Sequence, residues 1–297
     1  NCYPQKGLWT DRIDRAMNTA ARPIVIEQDV VWHGGRSVVA HEVESAAAAP
    51  TLEDHFFARV GPMLDRALAD GRTADWPLVV LHLDFKTNEP EHHAAIWALL
   101  GKYERWLTTA ERVADASRVM PLVPGPLLVL TERGPGQETV FHDEVLDGGS
   151  LRLFGTVAPL APPPGRERDR NYVAEAPPEA LIPTGATNYR RWTNHAWAVI
   201  EAGGPRAAGE WTDSERARLQ ALVNRAHENG LWLRFYTLNG HGPEGNQGWS
   251  DSYNFGTLGA ARIRWRAAID ARVDFVATDQ YEEFARELRS QPQPPAR

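Results

Sequence analysis

Short runs of β-branched and aliphatic residues alternate along this chain with stretches of helical spacing, and that alternation restricts the fold most. PIVIEQDVVW (23–32), PLVVLHLDFKTN (77–88), PLLVLT (126–131), SLRLFGTV (150–157), LWLRFYTLNGH (231–241) and VDFVAT (273–278) read as strands. Helical patterns lie over 8–21, from Thr51, over 91–116, 189–200, 212–229 and 258–271, and from Tyr281. RSVVAHE, after the Gly34–Gly35 turn, reads as a short returning strand and TVFHDEV (139–145) as a hairpin arm. Residues 159–187 are the least regular and read as an extended surface loop. Strands separated by helices imply parallel β-α units with right-handed crossovers. The expectation is an α/β chain, a single (β/α)8 TIM barrel over 1–297, its first strand cut short and its tail frayed from about 290. A doubly wound sheet competes, but no GxGxxG or GxxxxGK[ST] loop follows an early strand, which argues against a nucleotide-binding version.

Charged residues recur at the later ends of these strands, where a parallel barrel gathers its catalytic groups. Glu27 and Asp29 alternate in PIVIEQDVVW and so share a face. In PLVVLHLDFKTN, Val80, His82, Asp84 and Lys86 take one face while Leu81, Leu83 and Phe85 take the other. The apolar set must face the helices, so the charged set points inward. Like charges on an enclosed face are costly unless something positive holds them; a face turned to water is the alternative. Three carboxylates, Glu27, Asp29 and Asp84, suit a hard divalent cation, Mg²⁺ or Ca²⁺. A structural ion pair with Lys86 competes with that reading.

His41 ends RSVVAHE, fourteen residues after Glu27, and is either a general acid/base or an exposed structural histidine. Arg234 and Tyr236 stand near the end of LWLRFYTLNGH, where the arginine suits an anionic group such as phosphate, or a carboxylate partner. Trp249, in the loop GHGPEGNQGWSDSYNF (240–255), is a candidate pocket wall or a residue packed beneath that loop.

Composition narrows the partners. A net charge of −7 argues against a general nucleic-acid binder, which needs a basic surface. The single cysteine, Cys2, excludes an internal disulfide and a cysteine-rich zinc site. No apolar run approaches the ~20 residues of a membrane-spanning helix.

Taken together, NCYPQKG, IEQDVVW, VVAHE, LDFKT, RFYTLNG and VDFVATD resemble the phosphatidylinositol-phospholipase-C-like phosphodiesterase superfamily, most closely its glycerophosphodiester phosphodiesterase and sphingomyelinase D branches. The resemblance implies that Glu27 and Asp29 bind Mg²⁺ or Ca²⁺, with Asp84 a further ligand. It implies that His41 is a catalytic acid/base, that Lys86 contacts phosphate, and that Tyr236 stands where the family often has Trp. The implied activity is general acid/base hydrolysis of a phosphoric diester, a glycerophosphodiester or phospholipid headgroup. Arg234 and Trp249 would contact that substrate. The partner is then a small or lipid phosphodiester, with peripheral membrane contact; a monomer and a secreted or periplasmic location are expected. The family's first catalytic histidine would immediately precede Asn1, so a truncated, impaired chain is a further expectation.

Two other readings stay open. A glycoside hydrolase barrel would use Glu132 or Glu201, with two carboxyl groups ~5–9.5 Å apart. A catalytically inactive barrel would bind phospholipid headgroups or a protein partner.

Overall fold

The computed structural model describes residues 10–19, 21–71, 76–166, 169, 171–242 and 251–290. The chain forms two compact units, Asn1–Thr156 with Thr187–Arg190, and Val157–Ala186 with Arg191–Arg297.

In the first unit, α1 (Arg12–Met17) precedes β1 (Ile24–His33), β2 (Arg36–Val39), α2 (Ala58–Ala69), β3 (Val79–Phe85) and α3 (Pro90–Lys102). β4 (Thr109–Glu111), β5 (Leu122–Val123), β6 (Leu127–Thr131), β7 (Ser150–Leu151) and β8 (Phe154–Thr156) follow. The order β8-β6-β3-β1-β2 is parallel except for β2, which returns antiparallel to β1. That return needs a two-residue turn with both central residues left-handed, and Gly34 (φ 56°) and Gly35 (φ 74°) supply it between the paired His33 and Arg36.

Period-two alternation decides what each face meets. Ile24, Ile26 and Val30 of β1 and Val79, Leu81, Leu83 and Phe85 of β3 pack with Val60 and Leu64 of α2 and Ile96 and Leu100 of α3. Glu27, Asp29, Asp84 and Lys86 therefore occupy the opposite face. Val80, His82 and Asp29 on that face are also buried, so it does not open freely to water.

Three segments of this unit differ from the sequence-based expectation. The helix expected over 91–116 stops at Lys102, because Leu107 and Thr108 pair with Leu127 of β6 and the chain goes on to β4, between β5 and β7 in a small antiparallel sheet. The buried Thr108 hydroxyl reinforces that path, donating to the Gly125 carbonyl and accepting from Trp76 Nε1. TVFHDEV is a helical turn over Thr139–Asp143, not a hairpin arm; it buries Phe141 against His93 and Trp97 of α3. SLRLFGTV divides in two, since β7 pairs with β4 and β8 with β6.

The second unit contains α4 (Tyr172–Glu175), α5 (Pro178–Leu181), β9 (Arg190–Ala196, all but its first residue in this unit), α6 (Asp213–Glu228), β10 (Trp232–Tyr236), α7 (Leu258–Asp270), β11 (Phe275–Val276) and α8 (Tyr281–Ser290). Its strands run parallel in the order β11-β10-β9. β9 replaces the helix expected over 189–200. Its Trp192, Asn194 and Ala196 lie beside Trp232, Arg234 and Tyr236 of β10, and this ladder outweighs the helical spacing. Thr212 and Glu215 form the capping box that TDSE predicts, opening α6, whose Leu219, Leu222 and Val223 pack with Leu233, Phe235 and Trp265.

Both units are thus α/β with parallel strands. Among the described residues, no helix is long and apolar enough to cross a membrane.

Candidate metal centre

The parallel register of β1 and β3 sets Glu27 beside His82 and Asp29 beside Asp84. One oxygen from each of Glu27, Asp29 and Asp84 lies within 4.8 Å of the others. Such a cluster follows from two acids at alternate positions on one strand meeting a third on its neighbour.

Asp29 is fully buried, and neither of its carboxylate oxygens accepts a hydrogen bond among the described residues. Burial pushes its carboxyl up to about 6; Lys86 pulls it down and Asp84 adds repulsion. Lys86 Nζ donates to Asp84 Oδ2 at 2.7 Å and stands 3.3 Å from Asp29 Oδ1, an ionic contact rather than an aligned hydrogen bond. Burial by itself would lower the lysine, but Asp29 and Asp84 together hold it above its ordinary value. Among the described residues Lys86 contacts two of the three carboxylates, Asp29 and Asp84, so the cluster carries negative charge in excess of that ammonium.

A divalent ion would neutralise that excess. Mg²⁺ and Ca²⁺ prefer hard oxygen donors at roughly 2.0–2.6 Å, so oxygens up to about 5 Å apart fit across one coordination sphere. The hydrogen-bond capacity left on Asp29, in a buried position, is the feature that most needs a cation. The donor set thus fits the group.

His82, only 2% exposed, lies next to the cluster. Its Nδ1 is 3.3 Å from Glu27 Oε2, and its Nε2 is 3.2 Å from Glu132 Oε1. Sequence reasoning placed His82 on the inward face but gave it no role, and treated Glu132 only as a candidate acid of another enzyme class. The register of three strands, not any local motif, brings them to Glu27.

His41 follows β2, and its side chain is 46% exposed with Nδ1 against the Glu42 carboxylate. The hairpin brings it close enough for its charge to favour ionised Asp29. Ala40, its neighbour in the chain, donates its backbone N–H to the Asp29 carbonyl at 3.2 Å.

Arg234 and Tyr236 belong to the second unit. Arg234 is buried, donates from Nη1 to Asn194 Oδ1 at 3.1 Å, and has its guanidinium carbon 5.6 Å from the Tyr236 ring centre. Tyr236 meets Tyr253 edge-on at 6.1 Å. Trp249 lies outside the described residues. Glu201, one of the two acids weighed for glycoside hydrolysis, is buried in a bidentate pair with Arg264 at 2.6 and 2.9 Å and accepts from Trp197 Nε1. Those contacts give it a structural task.

No protein-family model and no curated protein sequence matches the chain. Among solved structures, a glycerophosphoryl diester phosphodiesterase from Parabacteroides distasonis is similar over 92% of this chain and 78% of its own, at 14% identity and a TM-score of 0.38. A Plasmodium falciparum HPPK-DHPS triple mutant with SDX-DHP is similar over 96% of this chain, at 10% identity and a TM-score of 0.45. The chain spans 46%, about half, of that second protein's length. Overlaps of this size carry no argument about activity, which must come from the site's own residues.

Proposed function

We propose that the chain is a divalent-cation-dependent phosphoric diester hydrolase on a (β/α)8 barrel, of the phosphatidylinositol-phospholipase-C-like type, acting on a glycerophosphodiester or phospholipid headgroup. The observation that carries this reading is the meeting of Glu27, Asp29 and Asp84 at adjacent parallel strands, with Asp29 buried and its oxygens accepting no hydrogen bond among the described residues. These three residues would hold Mg²⁺ or Ca²⁺. When bound, the ion supplies Lewis-acid stabilisation of charge developing on a phosphate oxygen.

Lys86 would hold the anionic phosphoryl group, since its ammonium already stands at the carboxylates and is kept charged by them. His41, partly exposed and beyond the hairpin, would move the proton as general acid or base.

Hydrolysis of bis(p-nitrophenyl) phosphate tests the proposal. Turnover is expected to stop in EDTA and to return with excess Mg²⁺ or Ca²⁺. Turnover that EDTA leaves untouched contradicts it.

A further inference from the structure

Of the three carboxylates, Glu27 has the longest side chain, and 21% of it is exposed. Asp29 and Asp84 are short and nearly fixed by their strands, whereas a glutamate ligand needs a tether to keep one oxygen aimed inward. Losing that rotamer freedom costs conformational entropy, which a ready-made hydrogen bond offsets before a ligand arrives.

His82 is placed to be that tether. It stands beside Glu27 in the β1–β3 register, is almost wholly buried, and points Nδ1 at Glu27 Oε2. Its other nitrogen faces Glu132, the residue following β6, whose backbone N–H donates to the Leu83 carbonyl of β3. Carboxylate oxygens only accept, so Nδ1 carries the hydrogen it shares with Glu27 Oε2, while Nε2 stands 3.2 Å from Glu132 Oε1 as a close contact without an aligned hydrogen bond. Three neighbouring strands thus contribute a chain that runs Glu132, His82, Glu27.

We propose that His82 and Glu132 are positioning residues of the cation site: the imidazole fixes the Glu27 carboxylate, and Glu132 fixes the imidazole. The inference rests on the cation reading of Glu27, Asp29 and Asp84 given above. Neither residue touches the ion or substrate; each acts through Glu27. Partners one layer beyond a metal's ligands carry measurable affinity because they set the orientation of the ligand atom.

The test is Mn²⁺ binding, followed by the electron paramagnetic resonance signal of free Mn²⁺, for wild type, His82→Leu, His82→Asn and Glu132→Leu. Far-UV circular dichroism and thermal unfolding establish that each variant is folded. His82→Leu is expected to weaken Mn²⁺ binding ~10–100-fold. His82→Asn places an amide nitrogen near the position of Nδ1 and is expected to recover most of that loss. Glu132→Leu is expected to show part of it. Wild-type affinity in folded His82→Leu overturns the inference while leaving the cation site intact. Asn as weak as Leu at position 82 also overturns it, since packing rather than the hydrogen bond would then be responsible. A wild-type chain that binds no Mn²⁺ removes the cation reading and the inference together. If His82→Leu does not fold, Glu132→Leu decides: wild-type affinity in that variant contradicts the chain, and weakened affinity supports it.

Discussion

Asp29 and Lys86 face each other across two strands, Oδ1 to Nζ at 3.3 Å, with the carboxylate fully buried and the ammonium also hydrogen-bonded to Asp84. The lysine is shared with Asp84, and a buried acid that shares an ammonium is poorly compensated in a low dielectric. The strain of that arrangement falls on the ion-free protein, and it makes several outcomes measurable.

Asp29 makes metal-free stability depend on pH. Its carboxyl lies near 6 in the fold against an ordinary 3.8, so between those values the folded state holds the proton more tightly than the unfolded one. The stabilisation this gives is fully present below about 3.8 and lost as pH rises through about 6. Its size is of the order of 3 kcal/mol. In Asp29→Asn the neutral amide removes this contribution, so the variant should be the more stable protein at pH 7 in EDTA and bind no divalent ion. Urea unfolding of both proteins from pH 4 to 7 checks the difference between the two curves.

Lys86→Gln separates holding the ion from holding the substrate. Removing the competing ammonium should leave Mg²⁺ or Ca²⁺ affinity equal to wild type or higher, by calorimetric titration. Phosphodiester turnover should nevertheless fall ~10²-fold or more, the scale seen when one charge-stabilising donor is lost from an active site.

Glu201→Gln should behave in the opposite way. It breaks a buried pair and leaves the Arg264 charge poorly matched in the second unit. The expected cost is about 3–5 kcal/mol by urea unfolding, with divalent affinity unchanged. Intact stability would show that the pair is dispensable and reopen a catalytic task for Glu201.

Thr212→Ala tests the local reading of α6. The variant loses the hydroxyl that accepts from the Glu215 N–H and donates to Glu215 Oε2, while the backbone N–H of residue 212 keeps its bond to that carboxylate. A loss of about 1 kcal/mol in unfolding free energy is expected.

Much of the candidate site was legible because strand periodicity needs no partner to be read. PIVIEQDVVW and PLVVLHLDFKTN each assign their acids to a face, and the run of aliphatic residues on the other side says which face the helices cover. Glycine pairs and the TDSE box were equally readable, since backbone conformation and capping are local. β9 was not: RRWTNHAWAV carries helical and alternating spacing together, and only its ladder with β10 selects the strand. The end of α3 was likewise decided by Leu107 and Thr108 pairing with Leu127. The same limit hid His82, because its contact with Glu27 joins residues 55 positions apart and depends on register.

Anomalous diffraction from crystals grown with Mn²⁺ tests the central claim most directly. The account predicts one peak bonded to an oxygen of each of Glu27, Asp29 and Asp84, at the roughly 2.0–2.6 Å expected of a hard divalent ion. Lys86 should then be displaced from Asp29. A Mn²⁺-saturated crystal with no peak among these three carboxylates, and Lys86 still against Asp29, would contradict it.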